Sequence, residues 1–374
     1  MPTEKAHGLS TVKICEAFSK CGYKVDLIIP KLWRHKSENI YDYYGVKKRF
    51  RILKIPCIDL IPVGVLEKFT FLLQSLSFSF FLTIFVLIKY GIRNKKVIFF
   101  SHDYIPLYPM TFLSNYVFYD IHHFPGQNLM YKRIMNKSFG FAVQTKWKIK
   151  ELENKFHIPP NKIVYWPNGT EIERFNISQS KTEARKILGL PLDAKIIMYT
   201  GQLFDWKGVD SLIKSISFLP NEMLIYIVGG SDQDILNCKK EIAEANNNRI
   251  IFVKFVPNLQ IPLWLRVADV LVLPNTGKKR VSLYYTSPMK LFEYMAAKKP
   301  IISSAIPSIM EILNDKNSIL VEPDNPEAIG LSVKKIFSDP ILSENISTNS
   351  FLDVQKFTWT NRAEKIIDYF STYE

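Results

Sequence analysis

The stretch that most constrains this chain runs from Ser287 to Ser304. Ser287 can cap a helix, Pro288 fits the first turn where its missing N–H costs nothing, and Leu291, Phe292 and Met295 form an apolar side. Ala296 and Ala297 allow close packing, Lys299-Pro300 ends the helix, and the apolar strand Ile301-Ile302-Ser303-Ser304 follows at once. One carboxylate, Glu293, sits inside this otherwise apolar helix. Just ahead lies a loop rich in cations and hydroxyls: Lys278, Lys279, Arg280, Ser282, Tyr284, Tyr285 and Thr286. A helix start behind such a loop offers free N–H groups and the positive end of the helix dipole, which suits an anion.

At 374 residues, with 47% apolar residues, the chain is long enough for two domains with separate cores. Its net charge of +14 admits nucleic acid, an anionic membrane surface or anionic substrates as partners. The densest basic run is Lys47, Lys48, Arg49, Arg51 and Lys54, with Arg93, Lys95 and Lys96 later. No RNA-binding signature, zinc-finger spacing or recognition helix accompanies it, so no nucleic-acid partner is expected. The scattered cysteines Cys15, Cys21, Cys57 and Cys238 have no metal-ligand spacing and fit reduced thiols in the cytoplasm. Residues after Met1 are polar, unlike a signal peptide. From Phe69 to Tyr90 the chain is almost wholly apolar and long enough to span a bilayer. It falls between strands expected at about 51–56 and 97–101, where a crossover helix belongs. It therefore reads as a buried or membrane-facing helix, with peripheral bilayer contact.

Along the chain, strands and helices alternate as in parallel α/β folds. A helix from about Leu9 to Cys21, with Gly8 at its start, precedes the strand Tyr23–Pro30. Strands ending near Ser101 and Ile121 carry His102, and His122 and His123, just past their C-terminal ends, where α/β folds place chemistry. Asn168-Gly169 reads as a tight turn. Strands are expected near 195–200, 223–228, 249–253, 269–273, 300–303 and 318–321. Between the first two lies Gly201-Gln202-Leu203-Phe204-Asp205-Trp206-Lys207-Gly208, which holds Lys207 at a strand-to-helix crossing. Val228-Gly229-Gly230-Ser231 is a glycine-rich turn after the next strand.

These segments together resemble glycosyltransferase family four, retaining enzymes of the GT-B fold. The resemblance touches residues 2–30, 119–125, 163–175, 199–213 and 268–310. It implies an α/β chain of two Rossmann-like domains facing a cleft. Residues 1–175 would be the acceptor domain, with the C-terminal helix 358–374 packing back on it, and residues 176–357 the nucleotide-sugar domain. The family's first strand precedes the loop that "PTEKAHGLSTVKICEAF" resembles, so here the first N-terminal strand is expected to be missing. The resemblance gives His122, Lys207 and Glu293 the catalytic roles. His122 would sit beside the sugar and diphosphate, Lys207 would neutralise the diphosphate, and Glu293 would take the ribose hydroxyls. Donor contacts would come from Gly8, Gly229, Val256 before Pro257, and Ser287, Met289 and Lys290 at the helix start. Gln202 stands where the family has an arginine, and Lys290 or Arg280 could restore that cation. Tyr285 stands where many members have another glutamate.

The expected activity is therefore metal-independent glycosyl transfer, needing no cofactor beyond a nucleotide-diphosphate sugar. The acceptor would be a growing surface polysaccharide or a lipid-linked glycan, and the place of action the cytoplasmic face of the inner membrane. Two other readings compete. One is a sugar-nucleotide 2-epimerase, against which the scarcity of acidic residues speaks. The other is a non-catalytic glycan- or membrane-binding remnant, for which the absent strand, Gln202 and Tyr285 speak.

Overall fold

The computed structural model describes residues 1–3, 5–33, 39–60, 67–92, 97–240, 242 and 248–372. The later basic group, Arg93, Lys95 and Lys96, lies outside that set. The chain divides into two compact units: Met1–Pro167 with Arg362–Glu374, and Asn168–Asn361.

The first unit has strands β1 (Asp26–Lys31), β2 (Arg51–Pro56), β3 (Phe99–Ser101), β4 (Val117–Ile121), β5 (Gly140–Val143) and β6 (Ile163–Tyr165). All pair in parallel, but in two sheets, β1-β2 and β3-β4-β5-β6. Among the described residues no ladder joins β1 to β3. The core beneath β4 and β5 includes Val117, Tyr119, Ile121, Phe141 and Val143, closed by Phe78, Leu82 and Val86 of the helix Glu67–Tyr90. The first helix spans Ala6–Lys20, so Gly8 lies inside its first turn rather than before it.

The second unit has β7 (Lys195–Thr200), β8 (Met223–Val228), β9 (Ile250–Val253), β10 (Val270–Leu273), β11 (Ile301–Ser304) and β12 (Ile319–Val321). They form one parallel sheet in the order β12-β11-β10-β7-β8-β9. The order reverses between β7 and β10, so chain continuations leave these two neighbours in opposite directions and open a crevice at their C-terminal ends. Helices cover both faces, so the central strands are continuous apolar runs: Ile196 to Met198 and Val270 to Leu273 are fully buried.

Asn168-Gly169 is not a tight turn. Gly169 has no positive φ; a Cβ there would lie 2.6 Å from the Thr358 carbonyl carbon, so glycine permits backbone against backbone. Thr170 N–H then bonds Phe357 O at 3.0 Å.

The helix Trp359–Ser371 begins in the second unit and ends in the first. Its Arg362 is 1% exposed and donates to Asp120 Oδ1 at 2.7 Å and to the carbonyls of Trp166 and Pro167. Phe370 packs edge-on against Phe118, and Tyr369 donates to Phe139 O over Gly140. Burial alone would raise the Asp120 carboxyl; the charges and hydrogen bonds of Arg362 and His122 outweigh it and hold it well below the ordinary range. Arg362→Ala should therefore cost about 3–5 kcal/mol, because it strands a buried carboxylate. This stability is complete above the unfolded carboxyl's pKa of about 4 and is lost as pH falls below it. Urea unfolding should show a large midpoint drop at pH 7 that narrows on acidification; equal midpoints at pH 7 would contradict the assignment.

Candidate functional site

The reversal point of the second unit gathers the polar residues of two loops and one helix. Leaving β7, the chain turns at Gly201 with φ +118°, and leaving β8 it turns at Gly229 with φ +123°. A Cβ on Gly229 would stand 2.5 Å from Gly201 O, so the two loops meet only because Gly229 lacks a side chain. A short 3₁₀ turn, Asp205–Lys207, ends at Gly208, whose left-handed conformation lets it pass against Pro274 O at the end of β10. Lys207 is thereby buried, with Nζ 3.7 Å from the Trp206 ring centroid. Burial pushes its amine down to about 7.

The helix Met289–Ala296 adds a second buried cation. Lys290 Nζ lies 3.5 Å from the Tyr199 ring centroid and has no hydrogen-bond partner. It lies close to Gly201, where a Cβ would be 2.8 Å from it. Burial and then the charge of Lys207 hold its amine well below the ordinary lysine range, with Glu293 partly opposing. Neither ammonium has an ion pair among the described residues. Two buried amines with no ion pair among the described residues favour a ligand that brings negative charge. The leading N–H groups of Met289 and Lys290 precede the first intrahelical acceptor and are open to the same ligand.

Glu293 follows Lys290 by three residues, on the same helical face. Burial raises its carboxyl above the ordinary value, while Arg174, Lys290 and a hydrogen bond from Asn258 oppose that rise. Arg174 also donates to Asn258 O at 2.9 Å, linking the segment after Gly169 to the glutamate. These partners are distant in sequence, and nothing in the spacing of Arg174 or Asn258 marks them. Nor does the sequence mark Asn275, which is fully buried after β10 with both amide atoms unpartnered, or the orphaned Oδ1 atoms of Asn168 and Asn258. Such groups are rare in a finished interior and common where a ligand completes the bonding.

Several expected residues stand differently. Ser287 does not cap the helix: Pro288 is the N-cap, and Ser287 Oγ accepts from Asn168 N–H at 3.0 Å. Its carbonyl takes the Asn168 amide at 2.7 Å, so Ser287 fixes the segment entering the unit. Gly8 is not an open phosphate contact: its N–H donates to Lys5 O at 3.1 Å and Tyr44 Oη covers its α-carbon. Gly229 N–H is likewise bonded, to Val253 O at 2.8 Å. The backbone carbonyl of Gln202 accepts from Tyr199 Oη at 2.7 Å. Of the two cations that could compensate, Lys290 is beside Lys207, whereas Arg280 is exposed. Tyr285 lies half-buried in a π-helical turn, Val281–Tyr285, and Val256 is half-buried before Pro257.

In the first unit His122 follows β4, its Nε2 3.1 Å from Asp120 Oδ2. Asp120 also accepts from Gln144 at 2.6 Å. The buried Lys148 ammonium donates to Ile121 O, His122 O and Gln144 Oε1, which satisfies all three of its protons. The His122 ring therefore stands on a fully bonded frame. The His102 ring lies 5.1 Å from it, and burial pushes its imidazole down to about 3.

Residues 180–352 match the family model of glycosyl transferases group 1. An uncharacterized glycosyltransferase of Methanocaldococcus jannaschii is 28% identical over 231 residues, 59% of this chain and 57% of that protein. The chain spans about half to three-fifths of the length of the curated relatives it matches. Among solved structures, the sucrose-phosphate synthase of Thermosynechococcus elongatus superposes with a TM-score of 0.77, covering 99% of this chain and 94% of that one at 18% identity. Anabaena HepE, in complex with UDP and glucose, superposes at 0.75, covering 99% and 97% at 13% identity. The chain has the GT-B fold, and its residues 180–352 are similar to glycosyl transferases group 1.

Proposed function

We propose that this protein is a retaining glycosyltransferase that moves a sugar from a nucleotide-diphosphate donor to a growing surface polysaccharide or lipid-linked glycan, at the cytoplasmic face of the inner membrane. The observation that carries the reading is the pair of buried, uncompensated amines of Lys207 and Lys290 beside the open N–H groups of a helix whose next turn bears Glu293.

In such a transfer the bond between the anomeric carbon and the β-phosphate oxygen breaks, leaving negative charge on the phosphate. Prearranged donors at that oxygen lower the barrier because they need no reorganisation. The two ammonium groups and the helix amides are such donors, and they supply the neutralisation that a metal ion provides elsewhere. Glu293 accepts from the ribose hydroxyls and so fixes where the reacting carbon lies. The acceptor oxygen bonds the anomeric carbon on the face the phosphate leaves. Its proton passes to the departing phosphate oxygen, so the configuration is retained. His122 is assigned to steady the donor sugar. The mutual approach of Lys207 and Lys290 favours this reading over a non-catalytic remnant, since a remnant has no use for the cost of burying both.

That cost gives a signed prediction. The folded amine of Lys207, at about 7, lies below its unfolded value, so the penalty is complete below pH 7 and eases as pH rises. Lys207→Met should raise the melting temperature of the ligand-free protein, by more at pH 6 than at pH 9. The same substitution should cut nucleoside-diphosphate release at least ~100-fold. Full turnover in the variant would remove Lys207 from the mechanism. Glu293→Ala should likewise stop turnover in a folded protein.

Thermal-shift measurements with UDP-, GDP- and dTDP-sugars should give a rise in melting temperature for one nucleotide class, since a ligand bound only by the native state stabilises it. The absence of any rise across all three would favour the remnant.

A further inference from the structure

We infer that the outer side of the helix Glu67–Tyr90 is a membrane-docking surface, by which the first unit lies on an anionic bilayer with this helix in the plane of the interface. The inference stands on the first unit alone and does not rest on the donor-site reading.

From Phe69 to Ile88 the helix contains no charged residue, and its mean hydropathy over an 18-residue window is 2.2. Length alone would let it span a bilayer. Its packing says otherwise. Phe78, Leu82 and Val86 form one stripe at i, i+4, i+8 and are buried in the same core as Leu107, Met110, Val117 and Tyr119. Ser79 Oγ donates to Ile105 O at 3.1 Å, and Ser77 Oγ accepts from Ile58 N–H at 2.9 Å. A spanning helix would have to abandon this core and these bonds.

The opposite side carries a second apolar stripe. Phe69, Leu72, Leu76, Phe80, Ile84 and Leu87 follow one another at helical spacing and are all exposed, Phe69 and Phe80 by 62%. A helix apolar on both sides is not built to face water on one of them. Phe112, on the adjoining helix Tyr104–Leu113, is also exposed, with the Arg133 guanidinium 3.4 Å from its ring centroid.

Charge decides the occupant. The first unit has 27 Lys and Arg against 14 Asp and Glu, a net +13; the second, with 22 against 21, is +1. Nearly all of the chain's excess charge therefore belongs to the unit with the apolar face. A second copy of the unit would bring the same net +13, and repulsion opposes it. An anionic lipid surface satisfies both features: acyl chains take the apolar stripe and headgroups attract the unit's excess positive charge.

The test is flotation of the full-length protein with phosphatidylcholine vesicles, with and without 30% phosphatidylglycerol. The wild type should float with the anionic vesicles, and Phe80→Asp should bind at least about tenfold less while keeping its circular dichroism. If Phe80→Asp loses its fold, the double variant Phe69→Ser, Leu76→Ser carries the same expectation. Alkaline carbonate should strip the wild type from the vesicles. Resistance to carbonate would mean a spanning helix and overturn the inference. So would binding that ignores phosphatidylglycerol, or no binding together with a dimer in light scattering that Phe80→Asp makes monomeric. No binding by a monomer would overturn it too.

Discussion

Two lysine amines are buried at one end of the second unit's sheet, and among the described residues no carboxylate is bonded to either. That electrostatic debt shapes everything around it. Gly201 suits glycine because its φ is +118°, with the Lys290 head close to it, and Gly229 lets the neighbouring loop lie against Gly201. Gly208 must take a left-handed conformation so that Lys207 turns inward past Pro274. The parallel sheet makes the corner available, since the reversal of strand order between β7 and β10 leaves a crevice at their ends. A structure optimised for stability would have placed apolar side chains there. The retained charge belongs to an anion that is expected to arrive.

The first unit solves the opposite problem. Asp120, Arg362, Gln144 and Lys148 are all buried charges or amides, but each is bonded, and the network closes on itself. Low dielectric strengthens a satisfied network as much as it penalises an orphan. The result is a rigid seat for His122 and a fixed docking point for the helix Trp359–Ser371. A site meant to bind is left unsatisfied; a frame meant to hold is not.

Much of this was legible in the sequence because it is local. Apolar runs located the strands of both units within a few residues, and the helix-to-strand passage at 287–304 announced a parallel sheet. Lys207 and Glu293 were visible because each sits in a short segment of unusual composition. What was hidden depends on contacts between distant segments. Ser287 has the chemistry of a cap, but Asn168, over a hundred residues earlier, claims its hydroxyl. Gly169 has the chemistry of a turn, yet it is glycine because Thr358 passes against it. Asn275, Asn258 and Arg174 belong to the site only through tertiary packing, and periodicity carries no trace of that. Whether Lys290 or Arg280 lies in the interior was open in the sequence; the Lys290 amine is buried and Arg280 is exposed.

The most direct test of the central claim is proton linkage. The nucleoside diphosphate that stabilises the protein should be titrated calorimetrically at pH 8, in two buffers of different ionisation enthalpy. An amine at about 7 is mostly neutral there and must take up a proton when the diphosphate arrives. The account predicts a buffer-dependent heat that reports uptake of roughly one proton or more per site, abolished in Lys207→Met. A heat independent of buffer would mean that these amines are already charged and compensated, and the account would fail.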